Sequence, residues 1–98
     1  MNKYIKENID LKELEKYGYE EENGMYVKYT NDTYYGHPII IVIVSCTRII
    51  HKCYCWTYKG GLIIKQPIVR NGKRVKPDKY IEDLIKAGYV EEIVWESE

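Results

Sequence analysis

Residues 39 to 44 read Ile-Ile-Ile-Val-Ile-Val, and this run constrains the fold more than any other part of the chain. All six residues are β-branched, and such side chains resist the χ1 geometry of a helix and suit a strand. The run is short and lies between Pro38 and a polar segment that starts at Ser45. A continuous apolar strand of this kind is typical of one that is covered on both faces. We therefore predict a central strand with structure packed on each side.

The composition also favours sheet over helix. Ile, Val, Tyr and Thr together account for 36 of the 98 residues, against 4 Leu and a single Ala. β-branched and aromatic residues are enriched in strands, so helices should be few and short. A chain of this length forms one domain at most, and we expect residues 1 to 98 to be a single domain.

Two short helices and about five strands can be placed. Asp10 and Gly18 bracket a helix over residues 11 to 17, and Pro77 and Gly88 bracket a second over residues 79 to 87. Alternating or continuous apolar runs indicate strands at 25 to 30, 39 to 44, 49 to 58, 62 to 65 and 89 to 95. Residues 3 to 9 are either an edge strand or an extended arm.

These elements predict an α+β fold, with a single antiparallel sheet of four or five strands and the two short helices packed on it. Gly60 and Gly61 accept positive φ and predict a tight hairpin between the strands at 49 to 58 and 62 to 65. Pro67 limits the second of these strands to an edge of the sheet or ends its pairing.

Nothing in the sequence resembles a signal peptide, and this, with the cysteine usage, predicts a cytoplasmic protein. The first ten residues alternate charged and apolar side chains, and the longest apolar run is too short to span a bilayer. Cys46, Cys53 and Cys55 are an odd number of cysteines without a secretory signal, which argues against a disulfide framework. We expect all three thiols to be reduced core groups.

Alternation along residues 49 to 58 places His51, Cys53 and Cys55 on one side of a strand, together with Ile49. Zinc accepts these ligand types, but same-face neighbours along a strand lie about 6 to 7 Å apart and seldom converge on one ion. The same residues lack the base and oxyanion site that a nucleophilic cysteine needs. We expect no metal, no cofactor and no enzymatic activity.

Charge is unevenly distributed although it sums to zero. Residues 48 to 79 carry nine basic groups and one acid, Asp78, whereas the segments before and after are acidic. Basic groups interleaved with aromatic residues suit phosphates and stacked bases. The opposing interpretation is that the basic hairpin only balances its own acidic termini. The candidate anion site consists of Lys59, Arg70, Lys73, Arg74, Lys76 and Lys79.

The chain contains eleven tyrosines and no phenylalanine. Tyrosine presents apolar area at a surface while its hydroxyl stays hydrated, a property that enriches it in protein interfaces. The candidate aromatic surface consists of Tyr34, Tyr35, Tyr54, Trp56 and Tyr58.

Three parts of the sequence resemble small accessory proteins of phages and prophages from low-GC Gram-positive bacteria. They are the opening helix-Gly18-Tyr19 motif, the apolar strand that ends in Thr47-Arg48-Ile49, and the closing segment Asp83-Leu-Ile-Lys-Ala-Gly-Tyr-Val-Glu-Glu92. The resemblance implies no active site. It implies a setting in which small binding proteins block host factors or sequester a signal.

Our functional hypothesis is a non-enzymatic binding protein of a phage or mobile element that occupies and inhibits a host defence protein. The alternative is an anion binder that holds nucleic acid or a signalling nucleotide with the basic hairpin of residues 48 to 79. We also expect a homodimer, because two short helices cover only one face of a strand that is apolar on both. No membrane partner is expected.

Overall fold

The structure, a computed structural model, describes residues 2 to 93. Within these residues the chain forms ten strands, and helices are short. The strands are β1 (Asn2–Ile5), β2 (Glu20–Glu22), β3 (Met25–Tyr34), β4 (His37–Val44), β5 (Ile49–Ile50), β6 (Tyr54–Lys59), β7 (Leu62–Pro67), β8 (Val69–Arg70), β9 (Lys73–Arg74) and β10 (Val90–Ile93). The helices are two 3₁₀ helices, Leu11–Tyr17 and Pro77–Tyr80, and α1 (Glu82–Lys86). None of these helices has the length and apolar character needed to cross a membrane.

The main sheet is antiparallel and has eight strands. Six of them follow the order β10-β1-β5-β4-β3-β2, and β6 pairs with β4 on one side and β7 on the other. β8 and β9 form a separate two-stranded sheet. The antiparallel α+β prediction is confirmed, and the predicted number of four or five strands is wrong. β1 and β2, near the start of the chain, together with the division of one long predicted strand into β5 and β6, raise the number to eight.

β1 was predicted as an edge strand or an arm, and the structure places it inside the sheet. It pairs with β10 along its whole length and with β5 through Lys3 and Tyr4. The final strand was predicted over residues 89 to 95 and is observed over Val90–Ile93. Residues 94 and 95 lie outside the described part of the chain.

One face of β4 forms the main core. Ile39, Ile41 and Ile43 lie on this face and are fully buried. Leu14 of the first 3₁₀ helix and Leu84 of α1 pack against them in the same cluster. The helical segments therefore cover this face of the sheet, as the sequence predicts.

The other face of β4 is buried as well. Ile40 and Val42 are each 1% exposed, and they pack with Val27 and Tyr54 in a second, smaller cluster. The prediction of a central strand covered on both faces is confirmed. Since a single chain already buries this second face, a dimer is not required to cover it, and self-association stays a prediction.

The long strand predicted over residues 49 to 58 is divided into β5 and β6 by a bulge at residues 51 to 53. Ile50 pairs with Ile43 and Tyr54 pairs with Ile40, so three residues of one strand lie opposite two of β4. The backbone of Cys53 turns away from β4: its N–H donates to the carbonyl of Val75. Strict alternation is lost at the bulge.

The cysteines consequently differ in environment. Cys53 and Cys55 are fully buried in the main cluster, as predicted. Cys46 was predicted to be a core residue and is exposed, because it lies in the turn that follows β4. His51 is half-buried, and its backbone N–H donates to the Val42 carbonyl at 2.9 Å.

Both predicted helices are observed in shorter or tighter form. Residues 11 to 17 form a 3₁₀ helix, where the Asp10 side chain accepts a hydrogen bond from the Lys12 N–H and Gly18 ends the helix at φ +91°. The helix predicted over residues 79 to 87 is replaced by the 3₁₀ helix Pro77–Tyr80 and the separate α1.

Candidate functional site

The hairpin formed by β6 and β7, hereafter the apolar hairpin, concentrates the exposed hydrophobic surface of the described chain. Nine large hydrophobic side chains are exposed in the described part of the chain. Five of the nine lie on this hairpin, which spans only residues 54 to 67. They are Trp56, Tyr58, Leu62, Ile63 and Ile64. Single exposed hydrophobic residues are common, whereas a cluster of them marks an interaction surface.

Neither face of the apolar hairpin is fully covered. Tyr58 lies opposite Ile63 on one face, and these side chains are 72% and 68% exposed. Ile64 lies opposite Thr57 on the other face and is also exposed. The pairing of β6 with β4 is at Tyr54, near the start of β6, so the remainder of the hairpin extends along and past the beginning of β4.

β7 has one free edge within the described part of the chain, since it pairs with β6 alone. The hairpin turns in two residues, Gly60 and Gly61, both at positive φ. A two-residue turn makes Lys59 and Leu62 a hydrogen-bonded pair, and such pairs alternate along the ladder. The backbone N–H and C=O groups of Ile63 and Lys65 therefore point outward.

Pro67 agrees with this assignment of the ladder. It pairs with Tyr54, which the alternation makes a non-hydrogen-bonded pair, so its missing N–H leaves the hairpin ladder intact. The sequence prediction that Pro67 limits this strand to an edge is consistent with the observed position of β7.

β7 differs in charge from β2, the edge strand that pairs with β3. β2 consists of Glu20, Glu21 and Glu22, and three exposed carboxylates discourage the addition of another strand. β7 begins with Leu62, Ile63 and Ile64 and has no carboxylate. The free edge of β7 therefore begins with three apolar residues, and its one charged residue is Lys65.

The apolar hairpin is positively charged. Lys59 and Lys65 are its only charged residues, and no acid lies between Arg48 and Asp78. The Lys65 Nζ lies 4.8 Å from the centroid of the Tyr54 ring, a cation–π contact that orients the lysine.

Three of the five residues in the predicted aromatic surface are exposed. Tyr35 is 85% exposed at the β3–β4 turn, where it adopts φ +50°, and Tyr58 and Trp56 lie on the apolar hairpin. Positive φ is uncommon for an aromatic residue, and Tyr35 occupies the first position of a two-residue turn that demands it.

The other two predicted aromatic residues are held by the protein itself. Tyr54 is 4% exposed because its ring packs in the second cluster, so it cannot present that ring to a partner. Tyr34 is half-buried, and its hydroxyl donates to the Val69 carbonyl at 3.3 Å.

The predicted anion site is spread over several elements. Arg70, Lys73 and Arg74 lie on β8 and β9, and Lys76 precedes the second 3₁₀ helix. Lys59 ends β6 and lies six residues beyond Cys53, which directly precedes that strand; this is about 20 Å at about 3.3 Å per residue. The guanidinium of Arg74 donates to the Cys53 carbonyl at 3.2 Å, so Lys59 and Arg74 are at opposite ends of the strand. The structure does not bring these two cations together.

Lys79, the last residue of the predicted anion site, is engaged by an acid. Its Nζ lies 3.3 Å from the Oδ2 of Asp32, and the Tyr80 hydroxyl donates to the same oxygen at 2.8 Å. The hydrogen bond from Tyr80, followed by the contact with Lys79, lowers the pKa of Asp32. Burial, followed by the Asp32 hydrogen bond, raises the pKa of Tyr80 to about 12. This cluster connects β3 to the second 3₁₀ helix.

Among the described residues, no group of three or more His, Cys, Asp or Glu side chains is arranged to hold a metal ion. Burial raises the pKa of Cys53 to about 11 and also raises the pKa of Cys55. Both thiols are therefore protonated at neutral pH, whereas the thiolate is the reactive form.

Sequence reasoning missed Leu62, Ile63 and Ile64 as surface residues. The available signal was three consecutive aliphatic residues between a glycine turn and an edge-marking proline, without any acid nearby.

Comparison of the chain with protein-family models, with curated proteins and with solved structures finds no match.

Proposed function

We propose that this chain is a non-enzymatic binding protein whose apolar hairpin accepts an extended segment of a partner protein as an additional strand beside β7. The observation that carries the proposal is the free edge of β7 combined with the exposure of Ile63 and its neighbours. Strand addition uses main-chain hydrogen bonds for affinity and alternate side chains for specificity. The outward groups of Ile63 and Lys65 supply the hydrogen bonds, and Tyr58 and Ile63 supply an apolar contact surface.

Charge complementarity selects the chemistry of the partner. Lys59 and Lys65 are the charged groups of the apolar hairpin, so the incoming segment should alternate apolar and acidic residues. A second copy of this chain would place lysines along a paired edge that has no carboxylate to meet them. A partner protein therefore fits this edge better than a homodimer does.

The resemblance to small phage and prophage proteins implies that the partner is a protein of the bacterial host. Binding to an extended segment of a host defence protein would inhibit that protein by occupancy, without a catalysed reaction. This is the inhibitory role that we propose.

Affinity capture from a bacterial lysate with three forms of the protein tests the proposal. Ile63→Pro removes one outward N–H from β7 and leaves the hairpin ladder intact. Glu21→Pro is the matched control, because Glu21 occupies the equivalent outward position of β2, which pairs with β3 across the two-residue Asn23-Gly24 turn. We expect one partner to be retained by wild type and Glu21→Pro and lost with Ile63→Pro.

Binding of the purified partner should then be lost with Ile63→Pro in direct titration. Equal capture by all three forms would contradict the proposal. Sedimentation that shows a dimer of wild type and a monomer of Ile63→Pro would assign the edge to self-association instead.

A further inference from the structure

A cleft opens where the bulge at residues 51 to 53 separates β5 from β6. The backbone of Cys53 bonds to Val75 and Ile68 instead of β4, which moves the following hairpin away from β5. The cleft has a volume of about 370 Å³, within the lower part of the range of small-molecule sites. Its walls include His51, Lys52, Tyr54, Lys65, Pro67 and Arg74.

The charges that line this cleft have one sign. Lys52, Lys65 and Arg74 contribute three cations, and no acidic residue is among the lining residues. None of the three forms an ion pair within the part of the chain that the structure describes, whereas Lys3 and Lys79 do. Cations gathered in a concave site produce a concentrated positive potential.

Two of the cations are held in place by the protein. One guanidinium nitrogen of Arg74 donates to the Cys53 carbonyl at 3.2 Å, which leaves its other donors for a ligand. Lys65 lies over the Tyr54 ring, and that ring is itself buried. Pre-positioned donors reduce the entropy that a ligand must overcome on binding.

His51 adds a neutral donor or acceptor to the same cleft. Burial, followed by the charge of Lys65, lowers the pKa of this imidazole. Its ring is therefore uncharged at neutral pH and reports directly on the local potential, because a bound anion would raise its pKa.

We propose that this cleft binds a small phosphorylated molecule, with the phosphate held by Lys52, Lys65 and Arg74. A phosphate group carries almost two negative charges at neutral pH and three strong acceptor oxygens, which matches three cations in a concave site. The apolar wall formed by Ile49, Ile50 and Pro67 would contact the organic part of the ligand. The cleft shares Lys65 with the proposed strand-addition edge but does not include Ile63, so Ile63→Pro and Arg74→Gln test the two proposals separately. Of the anion site predicted from sequence, it uses only Arg74.

Titration followed by the NMR signals of the His51 ring tests the proposal, with inorganic phosphate, pyrophosphate, adenosine 5′-monophosphate and single-stranded DNA as probes at low ionic strength. We expect the phosphate probes to shift these signals and to raise the pKa of His51. Tighter binding of the nucleotide than of inorganic phosphate would show that the apolar wall contributes. Lys65→Gln and Arg74→Gln should each weaken pyrophosphate binding about tenfold or more, the loss expected for one charged hydrogen bond.

Lys73→Gln is the matched control, since Lys73 neighbours Arg74 on β9 and does not line the cleft. It should bind as wild type does. Lys65→Gln keeps the test valid if Arg74→Gln unfolds the protein. His51 signals that stay unmoved by all phosphate probes up to millimolar concentration would overturn the proposal. Equal weakening by Lys73→Gln, or binding of DNA alone, would overturn it as well.

Discussion

Tyr58 and Ile63 face each other across the β6–β7 hairpin, and both side chains are largely exposed to solvent. An aromatic and a β-branched residue in such a pair contribute only about 0.2 to 1 kcal/mol to sheet stability. The pair therefore contributes little to folding, and its exposed side chains are suited to contact with a partner.

Replacing both residues should separate folding from binding. The double substitution Tyr58→Thr and Ile63→Thr keeps strand-forming residues, so we expect the free energy of unfolding to change by about 1 kcal/mol or less. Capture of the partner should be lost. Tyr29→Thr is the control, because Tyr29 is an exposed strand tyrosine outside the apolar hairpin. Loss of stability without loss of capture would show that the pair has a structural role.

Arg48 should be a strong determinant of stability. Its guanidinium donates to the carbonyls of Lys6 and Ile9 at 2.8 and 2.7 Å, and its backbone adopts φ +63°. Arg48→Ala removes both bonds and keeps an unfavourable φ, so we expect a loss of about 2 to 3 kcal/mol in urea unfolding.

Arg48→Gly removes the same hydrogen bonds but tolerates positive φ. It should be more stable than Arg48→Ala by about 1 kcal/mol. An Ala variant as stable as wild type would show that the guanidinium does not hold the segment of residues 6 to 9.

His51 should make stability depend on pH in the weakly acidic range. The pKa of its imidazole in the folded protein is lowered from 6.5, first by burial and then by Lys65. The unfolded chain therefore binds more protons below pH 6.5, and stability should decline as the pH falls from that value to the folded-state pKa. His51→Gln should flatten the decline in urea unfolding. A His51 ring that titrates above pH 6.5 would contradict the environment described.

The three cysteines should differ in reactivity according to their exposure. Cys46 is exposed, whereas Cys53 and Cys55 are buried with raised pKa values, so a thiol reagent should modify one group per native chain and three after unfolding. Cys53→Ala or Cys55→Ala should cost about 1 kcal/mol or more, because each leaves a gap in the main cluster. Rapid modification of Cys53 in the native protein would contradict its burial.

The central strand could be predicted because its signal is local. Six consecutive β-branched residues from Ile39 to Val44 determine both the strand and its two covered faces. The number of strands could not be predicted in this way. β2 consists of three glutamates with low strand preference, and its pairing with β3 across the Asn23-Gly24 turn forms it.

The candidate sites show the same limit. Gly60, Gly61 and Pro67 predict the hairpin and its position at an edge. Alternation alone does not tell which face of a strand the fold covers. The cleft depends on the bulge at Cys53, which is fixed by hydrogen bonds to Ile68 and Val75. Such contacts between distant parts of the chain leave no local pattern in the sequence.

Amide hydrogen exchange along β7, followed residue by residue, tests the central claim most directly. In the free protein, the N–H groups of Ile63 and Lys65 should exchange rapidly, while those of Ile64 and Gln66 should be protected by β6. With the captured partner bound, Ile63 and Lys65 should become protected. Outward amides that stay unprotected in the complex would contradict strand addition at this edge.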